Sequence, residues 1–184
     1  MLIKKKIEPD VEILKLITNE INSPILYGGN IKNINTVEML IKNGADKILI
    51  NSNLFKKNIA SEVINSFGKQ SLVGGIDLFY DQNNYHVLCE GNLLKIDYLE
   101  YIQKVISLNV GEIKITFVNL EGTRKGLDIE TAKQISKISD IPIIFEGGTK
   151  NLRDILNAVE EGVNAIAIGS MFVFSDNNIF KVKQ

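Results

Sequence analysis

Short apolar runs alternate with amphipathic stretches along the 184-residue chain. A run without polar interruption is typical of a strand in a parallel sheet, because such a strand is covered on both faces. Between the runs, apolar residues recur at helical spacing. We predict strands near 25–28, 47–51, 72–77, 113–119, 143–145 and 165–168, and helices at 9–22, 34–43, 59–67, 98–108 and 128–138, with one more helix between the last two strands. Six parallel strands with intervening helices place the chain in the α/β class.

One strand–helix–strand unit occurs twice. Residues 24–52 and 142–170 align without a gap. The matched positions include Pro24 and Pro142, Gly29 and Gly147, Gly44 and Gly162, and Ser52 and Ser170. Each copy consists of a proline, an apolar run, a glycine turn, a helix followed by a glycine, a second apolar run and a serine. This duplication predicts a (β/α)8 TIM barrel of the phosphate-binding type, built from two half-barrels.

Small and hydroxyl residues follow the strands of both copies. In a barrel of parallel strands, these strand ends form the face where ligands bind. Glycines allow a tight turn and let backbone N–H groups approach an anion. The repeat therefore predicts a phosphate site beside each serine, Ser52 and Ser170, although glycines that only form turns would leave the same pattern.

The barrel predicted from the repeat is incomplete. A closed barrel of this type has eight strands and about 250 residues. Two predicted strands precede the second copy, whereas the residues before Pro24 read as a helix. We therefore expect that the first two strands are absent, and that the two open sheet edges favour self-association. The expected organisation is one domain over 1–184, with half-barrels at 1–70 and 71–174 and a polar tail at 175–184.

Composition narrows the classes of function. The formal net charge is −1 with dispersed charges, so neither a nucleic acid nor a membrane is expected as a partner. No apolar run is long enough to span a bilayer, and the N-terminus lacks the apolar core of a signal peptide. Cys89 is the single cysteine and His86 the single histidine, which indicates a cytoplasmic protein without a histidine-rich metal site. We expect no metal and no cofactor.

A hairpin interrupts the alternation of strands and helices. Residues 78–90 alternate irregularly around Asn83 and Asn84. We place this hairpin on the rim of the barrel and interpret His86 and Cys89, which lie in it, as structural residues.

Four sequence motifs carry a resemblance to a known family. They are GADKILINS at 44–52, LEGTRKGLD at 120–128, the glycine pair after IPII, and GSMFVF at 169–174. In this order and spacing they resemble the cyclase subunit of imidazole glycerol phosphate synthase, an enzyme of histidine biosynthesis, from about residue 9 to residue 174. Tyr27 and the GSMFVF ending also resemble a branch of that family associated with acetamidino sugars in surface polysaccharides such as lipopolysaccharide.

The resemblance implies a substrate that carries a phosphate at each end. It assigns the first phosphate to Gly29, Asn30, Asn51 and Ser52, and the second to Gly122, Gly148, Gly169 and Ser170. Backbone N–H groups and hydroxyls near helix N-termini suit a dianion. Asn30 stands where the family usually has glycine, and we expect its side chain to crowd the first phosphate.

The resemblance also implies catalysis by carboxylates at strand ends, acting as general acid and base. It assigns the fifth-strand carboxylate to Asp77 and another to Glu121, which replaces an aspartate. The first-strand aspartate of the family has no counterpart here, and one carboxylate does not easily act as both acid and base. The alternative interpretation of Asp77 is a capping residue of a loop or helix.

At the opposite face, the family docks a glutaminase subunit and receives ammonia from it. The matching positions are Asp46, Lys47 and Glu112, which lie where strands are predicted to begin. The resemblance therefore implies a glutaminase partner and a gate at these charges. Ordinary solvated charge is the alternative interpretation.

Several functions remain open at this level. The first is a cyclase or lyase subunit that uses ammonia on a bis-phosphorylated ribulosyl substrate. The second is a non-enzymatic subunit that activates a glutaminase for surface-sugar amidation, as favoured by the absent first-strand aspartate, Asn30 and Glu121. The third is a fragmentary paralogue without function. An isomerase of the sister histidine-pathway family shares the duplicated barrel, but GADKILINS and the EGT loop favour the cyclase.

Overall fold

The computed structural model describes residues 8–173, which form two compact units. The first unit runs to Gly75 and includes Leu108–Gly111, and the second comprises Ile76–Ser107 and continues from Glu112. The polar tail that we expect at 175–184 lies outside the described residues.

Parallel strands joined by helices make up the first unit. Its elements are α1 (Val11–Glu20), β1 (Leu26–Gly28), α2 (Ile34–Lys42), β2 (Lys47–Ile50), α3 (Ile59–Phe67), a 3-10 turn at Lys69–Ser71 and the first part of β3 (Leu72–Tyr80). β1 pairs in parallel with β2, with Tyr27 opposite Ile48. β2 pairs in parallel with β3, with Leu49 opposite Val73.

Local sequence determines where the helices of the first unit begin and end. Asp10 and Asn33 are N-caps whose side-chain oxygens accept hydrogen bonds from the N–H groups of Ile13 and Thr36. Each cap satisfies an N–H group that has no partner within the first helical turn. Gly68 follows α3 with a φ of 82°, in the region that glycine adopts without steric cost.

The second unit continues the parallel arrangement and adds a hairpin. Its elements are the remainder of β3, β4 (Tyr85–Cys89), β5 (Asn92–Leu93), α4 (Tyr98–Ser107), β6 (Glu112–Phe117), α5 (Ile129–Ser136), β7 (Ile143–Glu146), α6 (Leu152–Glu160), β8 (Ala165–Ala167) and α7 (Ser170–Val173). β7 lies in parallel between β6 and β8, with Phe145 opposite Ile115 and Ile166. β3 and β4 pair in antiparallel, with Leu78 opposite Val87.

Aromatic side chains from β4, β6 and β7 pack together in the second unit. Phe117 and Phe145 stack with ring centroids 6.2 Å apart, and Tyr85 contacts Phe117 with centroids 5.3 Å apart. The Tyr85 hydroxyl donates a hydrogen bond to Oδ2 of Asp128 at 2.8 Å. Burial, and then this carboxylate, raise the pKa of Tyr85 well above its usual value. Asp128 also accepts a hydrogen bond from the Thr131 N–H group and is therefore the N-cap of α5.

The fold is of the (β/α)8 TIM-barrel type, with the parallel strands in the order β1, β2, β3, β6, β7, β8 among the described residues. The predicted α/β class, the six parallel strands and the hairpin are confirmed. The short elements β5 and α7 were not predicted, because they are too short to show a periodicity. β3 also extends past its predicted end at 77 to Tyr80, whose N–H group donates to Oδ1 of Asn119 at 2.7 Å.

Candidate functional site

A pocket of about 210 Å³ lies at the carboxyl ends of β7 and β8 in the second unit, and we call it the β7–β8 pocket. The residues that line it come from the turn after β6, the end of β7 with its following turn, and the end of β8 with the first residue of α7. They are Glu121, Gly122, Glu146, Gly147, Gly148, Thr149, Ala167, Gly169 and Ser170. The structure therefore brings together all four residues that the sequence assigns to the second phosphate.

The turn after β7 has room only for glycine. Gly147 and Gly148 have φ angles of 121° and 85°. A Cβ atom on Gly147 would lie 2.8 Å from the Phe117 carbonyl oxygen, and one on Gly148 would lie 2.1 Å from the Gly126 carbonyl oxygen. The Gly126 N–H group donates a hydrogen bond to the Gly148 carbonyl oxygen at 2.8 Å. Backbone thus packs directly on backbone, which fixes the shape of this side of the pocket.

The β7–β8 pocket offers hydrogen-bond donors that are not used elsewhere. No hydrogen bond within residues 8–173 uses the backbone N–H groups of Gly148, Thr149 or Gly169. The Thr149 residue is 5% exposed, and its buried hydroxyl has no hydrogen-bond partner in the same range. Buried polar groups almost always have partners, so this hydroxyl indicates a missing one. Several N–H groups and a hydroxyl around one small cavity suit an anion such as phosphate.

An ion pair that the sequence analysis did not single out borders the β7–β8 pocket. Glu146 lines the pocket, and its carboxylate pairs with the ammonium group of Lys114 on β6. Lys114 also donates a hydrogen bond to the Thr116 hydroxyl at 3.0 Å, and that hydroxyl donates to Oε2 of Glu146 at 3.2 Å. The sequence contains a signal for this polar cluster, because Lys114 and Thr116 alternate with apolar residues of β6 and so share one face of the strand.

The two predicted catalytic carboxylates have different surroundings. Glu121 is exposed and lines the β7–β8 pocket. Asp77 is half-buried on β3, opposite Leu88, and is not among the residues that line this pocket. Burial, with smaller contributions from the charges of Cys89 and Asp77, raises the pKa of Tyr101 on α4 to about 12.

The residues assigned to the first phosphate follow two neighbouring strands of the first unit. They are Gly29 and Asn30 after β1, and Asn51 and Ser52 after β2. Because β1 and β2 pair in parallel, the two turns lie at the same end of the pair. The Asn53 side-chain amide joins them by donating a hydrogen bond to the Ile31 carbonyl oxygen at 2.8 Å. Asn30 has a φ of 51°, in the left-handed region that asparagine tolerates better than most residues.

The predicted partner-interface residues lie at or beside the beginnings of strands. Asp46 precedes β2, Lys47 begins β2 in the first unit, and Glu112 begins β6 in the second. The Asp46 carboxylate accepts a hydrogen bond from the Ile25 N–H group at 2.7 Å, so it stabilises the approach of β1 to β2. Asp46 also lines a second pocket, of about 310 Å³, formed with the connection between α1 and β1. Lys47 and Glu112 are half-buried.

The remaining chemistry-bearing residues form no metal centre in the part of the chain that the structure describes. No group of three or more His, Cys, Asp or Glu side chains in residues 8–173 is placed to hold a metal ion. Nε2 of His86 lies 2.8 Å from Oδ2 of Asp81, within the hairpin. None of the helices in residues 8–173 is both long enough and apolar enough to cross a bilayer.

Comparison with known families identifies the wider group to which the sequence is related. The sequence matches the family described as histidine biosynthesis protein over residues 3–178. The chain belongs to this family. The match includes both copies of the repeat and every residue that lines the β7–β8 pocket.

Several relatives are named imidazole glycerol phosphate synthase subunit HisF. The protein from Alkaliphilus metalliredigens is 31% identical over 179 residues, which cover 95% of this chain and 71% of the relative. The protein from Dictyoglomus thermophilum is 32% identical over 178 residues, which cover 95% of this chain and 71% of the relative. The protein from Exiguobacterium is 28% identical over 176 residues, which cover 94% of this chain and 69% of the relative. The family resemblance that we infer from the four motifs is thereby confirmed.

Proposed function

We propose that the protein is a cyclase-type subunit that acts on a bis-phosphorylated ribulosyl substrate with ammonia from a glutaminase partner. One observation carries this proposal. Gly122, Gly148 and the pair Gly169–Ser170 come from three separate segments of the chain but line one small pocket. The backbone N–H groups of Gly148, Thr149 and Gly169 in it have no partner within residues 8–173. Membership of the histidine biosynthesis family and similarity to HisF subunits support the same substrate class.

Each copy of the repeat supplies one phosphate site in this proposal. The β7–β8 pocket takes one phosphate, and the turns after β1 and β2 take the other. Asp77 and Glu121 are the proposed acid–base groups. Glu121 lines the pocket and acts next to the phosphate bound there, whereas Asp77 acts on a part of the substrate outside the pocket.

Inorganic phosphate tests the proposed pocket directly. In a titration of ¹⁵N-labelled protein followed by NMR, we expect the amide resonances of Gly148, Thr149 and Gly169 to shift together, with a dissociation constant of about 1 mM. Ser170→Ala should weaken this binding. Ser139→Ala is a matched control, because the Ser139 hydroxyl donates to the Ile141 carbonyl oxygen and does not line the pocket. Saturating phosphate without any shift at these amides would reject the pocket as an anion site.

Turnover with an ammonium salt tests the reaction. The wild-type protein should convert the bis-phosphorylated ribulosyl substrate, and Asp77→Asn should lower the rate by about 100-fold or more, since an amide cannot exchange the proton. Asp140→Asn, which changes an exposed aspartate before β7, is the control and should retain the wild-type rate. Equal rates for wild type and Asp77→Asn would remove Asp77 from the mechanism.

Binding of a glutaminase tests the proposed partner. Asp46→Arg should abolish co-purification with a glutaminase subunit, because it reverses a charge at the proposed interface. Asp46→Asn removes the charge but retains an acceptor for the Ile25 N–H group. Comparing it with Asp46→Arg therefore distinguishes an effect on the interface from the loss of this hydrogen bond. Glu62→Arg, an exposed change on α3, is the control for added positive charge. Absence of a complex between the two wild-type proteins at micromolar concentration would contradict the partnership.

A second candidate function is a non-enzymatic subunit that activates a glutaminase for amidation of surface sugars. The observation that favours it is that only one of the two proposed catalytic carboxylates, Glu121, lines the pocket. In that case the protein should raise the glutaminase activity of its partner and show no turnover with ammonium. Measurable turnover by the isolated wild-type protein would exclude it.

A further inference from the structure

A closed triad of polar side chains stands beside the β7–β8 pocket. Lys114 pairs with Glu146 and donates to Thr116, and Thr116 donates to Glu146. The Lys114 and Glu146 side chains are 16% and 29% exposed, so both charges are largely shielded from water. The register between β6 and β7, which sets Thr116 opposite Glu146, brings the three side chains together.

Each of the two charged groups retains hydrogen-bonding capacity. An ammonium group has three N–H donors, and two of those of Lys114 are used within residues 8–173, on Glu146 and on Thr116. Both hydrogen bonds that Glu146 accepts in this range are made to Oε2. Within residues 8–173, one N–H donor of Lys114 and the second carboxylate oxygen of Glu146 are not used in a hydrogen bond. Glu146 lines the pocket, and Lys114 adjoins it through its contact with the Glu146 carboxylate.

The pair is not required by the architecture of the repeat. Gly28 occupies the position in the first copy that Glu146 occupies in the second. Removing an ion pair from water is unfavourable unless its geometry and additional hydrogen bonds compensate. A shielded ion pair therefore contributes little net stability to the fold. A role toward a ligand explains why the second copy has it.

The chemistry of the pair selects the group that it recognises. A lone carboxylate beside a phosphate would repel it, but the partner ammonium makes the pair neutral as a whole. One donor next to one acceptor matches a hydroxyl, which accepts and donates at once. A ligand ammonium would use only the acceptor, and a second phosphate would use only the donor.

We infer that Lys114 and Glu146 recognise a hydroxyl of a phosphate ester whose phosphate lies among Gly148, Thr149 and Gly169. The inference rests on the proposed phosphate site. The Thr149 hydroxyl supports a ligand here independently, because it is buried without a partner in residues 8–173 and its residue lines the same pocket. The Lys114–Glu146 pair is thus a selectivity determinant of the proposed site, because it favours phosphate esters that carry a hydroxyl over esters that do not.

Three probes test the inference by isothermal titration calorimetry on the full chain: inorganic phosphate, sn-glycerol 3-phosphate and n-propyl phosphate. The two esters have the same carbon chain length and differ in their hydroxyls. For the wild type we expect about tenfold tighter binding of glycerol phosphate than of propyl phosphate, as for a charge-assisted hydrogen bond. In Lys114→Met/Glu146→Met this ratio should fall to within about twofold, while the affinity for inorganic phosphate changes by less than about threefold.

A matched control and a second variant make the result specific. Lys133→Met/Glu161→Met removes another Lys–Glu pair of the second unit, which is exposed and does not line the pocket, and it should keep the wild-type ratio. If the methionine variant does not melt cooperatively, Lys114→Gln/Glu146→Gln takes its place. Its neutral hydrogen bonds should leave a ratio of about threefold.

The outcomes separate the inference from the proposed function. Binding of all three probes with a wild-type ratio near one, or with a ratio that survives loss of the pair, overturns the inference and leaves the phosphate site intact. Binding of none of them overturns both.

Discussion

The glycine turns of the two repeat copies have the same backbone conformation but different surroundings. Gly29 and Gly147 occupy equivalent positions, and both have a φ of 121°. A Cβ atom on Gly147 would meet the Phe117 carbonyl oxygen at 2.8 Å, whereas one on Gly29 would meet no heavy atom within 4 Å among the described residues outside its chain neighbours. The repeat thus sets the turn conformation, and the end of β6 packs against the turn in only one copy.

The helix ends of the two copies show the opposite difference. Gly44 and Gly162 follow α2 and α6 with φ angles of 101° and 89°, in the positive region that glycine commonly adopts after a helix. A Cβ atom on Gly44 would lie 2.5 Å from Cγ2 of Thr18 on α1, whereas Gly162 has open space in the described part of the chain. Conformation alone demands glycine at Gly162, while conformation and packing both demand it at Gly44. The same residue is therefore kept for different physical reasons.

A reciprocal exchange gives the largest expected difference between the copies. Gly148→Asn puts the residue of the first copy into the second, where a Cβ atom would lie 2.1 Å from the Gly126 carbonyl oxygen. We expect the free energy of unfolding to fall by about 2–4 kcal/mol. Asn30→Gly is the reverse exchange in the first copy and should change stability by less than about 1 kcal/mol. Urea denaturation measures both, and similar values for the two variants would contradict the difference in packing.

Alkaline pH should weaken the second unit through its buried tyrosines. The raised pKa values of Tyr85 and Tyr101 mean that the folded state holds their protons more tightly than the unfolded state, in which tyrosine ionises near pH 10. As the pH rises above 10, the unfolded state loses protons first, so the free energy of unfolding falls between about pH 10 and 12. Tyr101→Phe should flatten this fall when urea midpoints are compared from pH 8 upward. An unchanged slope in this variant would show that Tyr101 does not contribute.

The N-caps are the feature in which we expect the copies to behave alike. Asn33 and Asn151 have nearly the same backbone angles, and each accepts a hydrogen bond from the N–H group three residues later. Asn33→Ala and Asn151→Ala should each lower the free energy of unfolding by about 1 kcal/mol. Aspartate at either position should restore most of this loss. A difference of more than about 1 kcal/mol between the two alanine variants would show that tertiary contacts outweigh the cap.

The smallest expected effect is weak self-association through strand edges. Within residues 8–173, β1 pairs only with β2 and β8 only with β7. Open edges offer unpaired backbone groups to another chain. Sedimentation velocity should therefore show a rise in average mass between about 5 and about 200 µM protein. A single monomeric species over that range would contradict the prediction.

Local structure was predictable because short-range rules act within a few residues. The sequence predicts a helix that begins at residue 128, and in the structure Asp128 is the N-cap of α5 and accepts a hydrogen bond from the Thr131 N–H group. The bounds of α3 agree with the predicted 59–67, because Gly68 ends an apolar periodic segment. The repeat and the resemblance also indicate residues that line the β7–β8 pocket. They could be predicted because they follow strands, and the carboxyl ends of neighbouring parallel strands lie at the same face.

Most of the strands and helices and the turns of the repeat follow from the sequence alone, since each depends on residues close together in the chain. Three relations follow from the folded structure and not from any short segment: Lys114 pairs with Glu146, Gly148 packs against Gly126, and Asp77 does not line the pocket. Those relations depend on the register between strands and on how closely loops approach one another. Register is set by the packing of whole strands, and the residues of any one strand do not specify it.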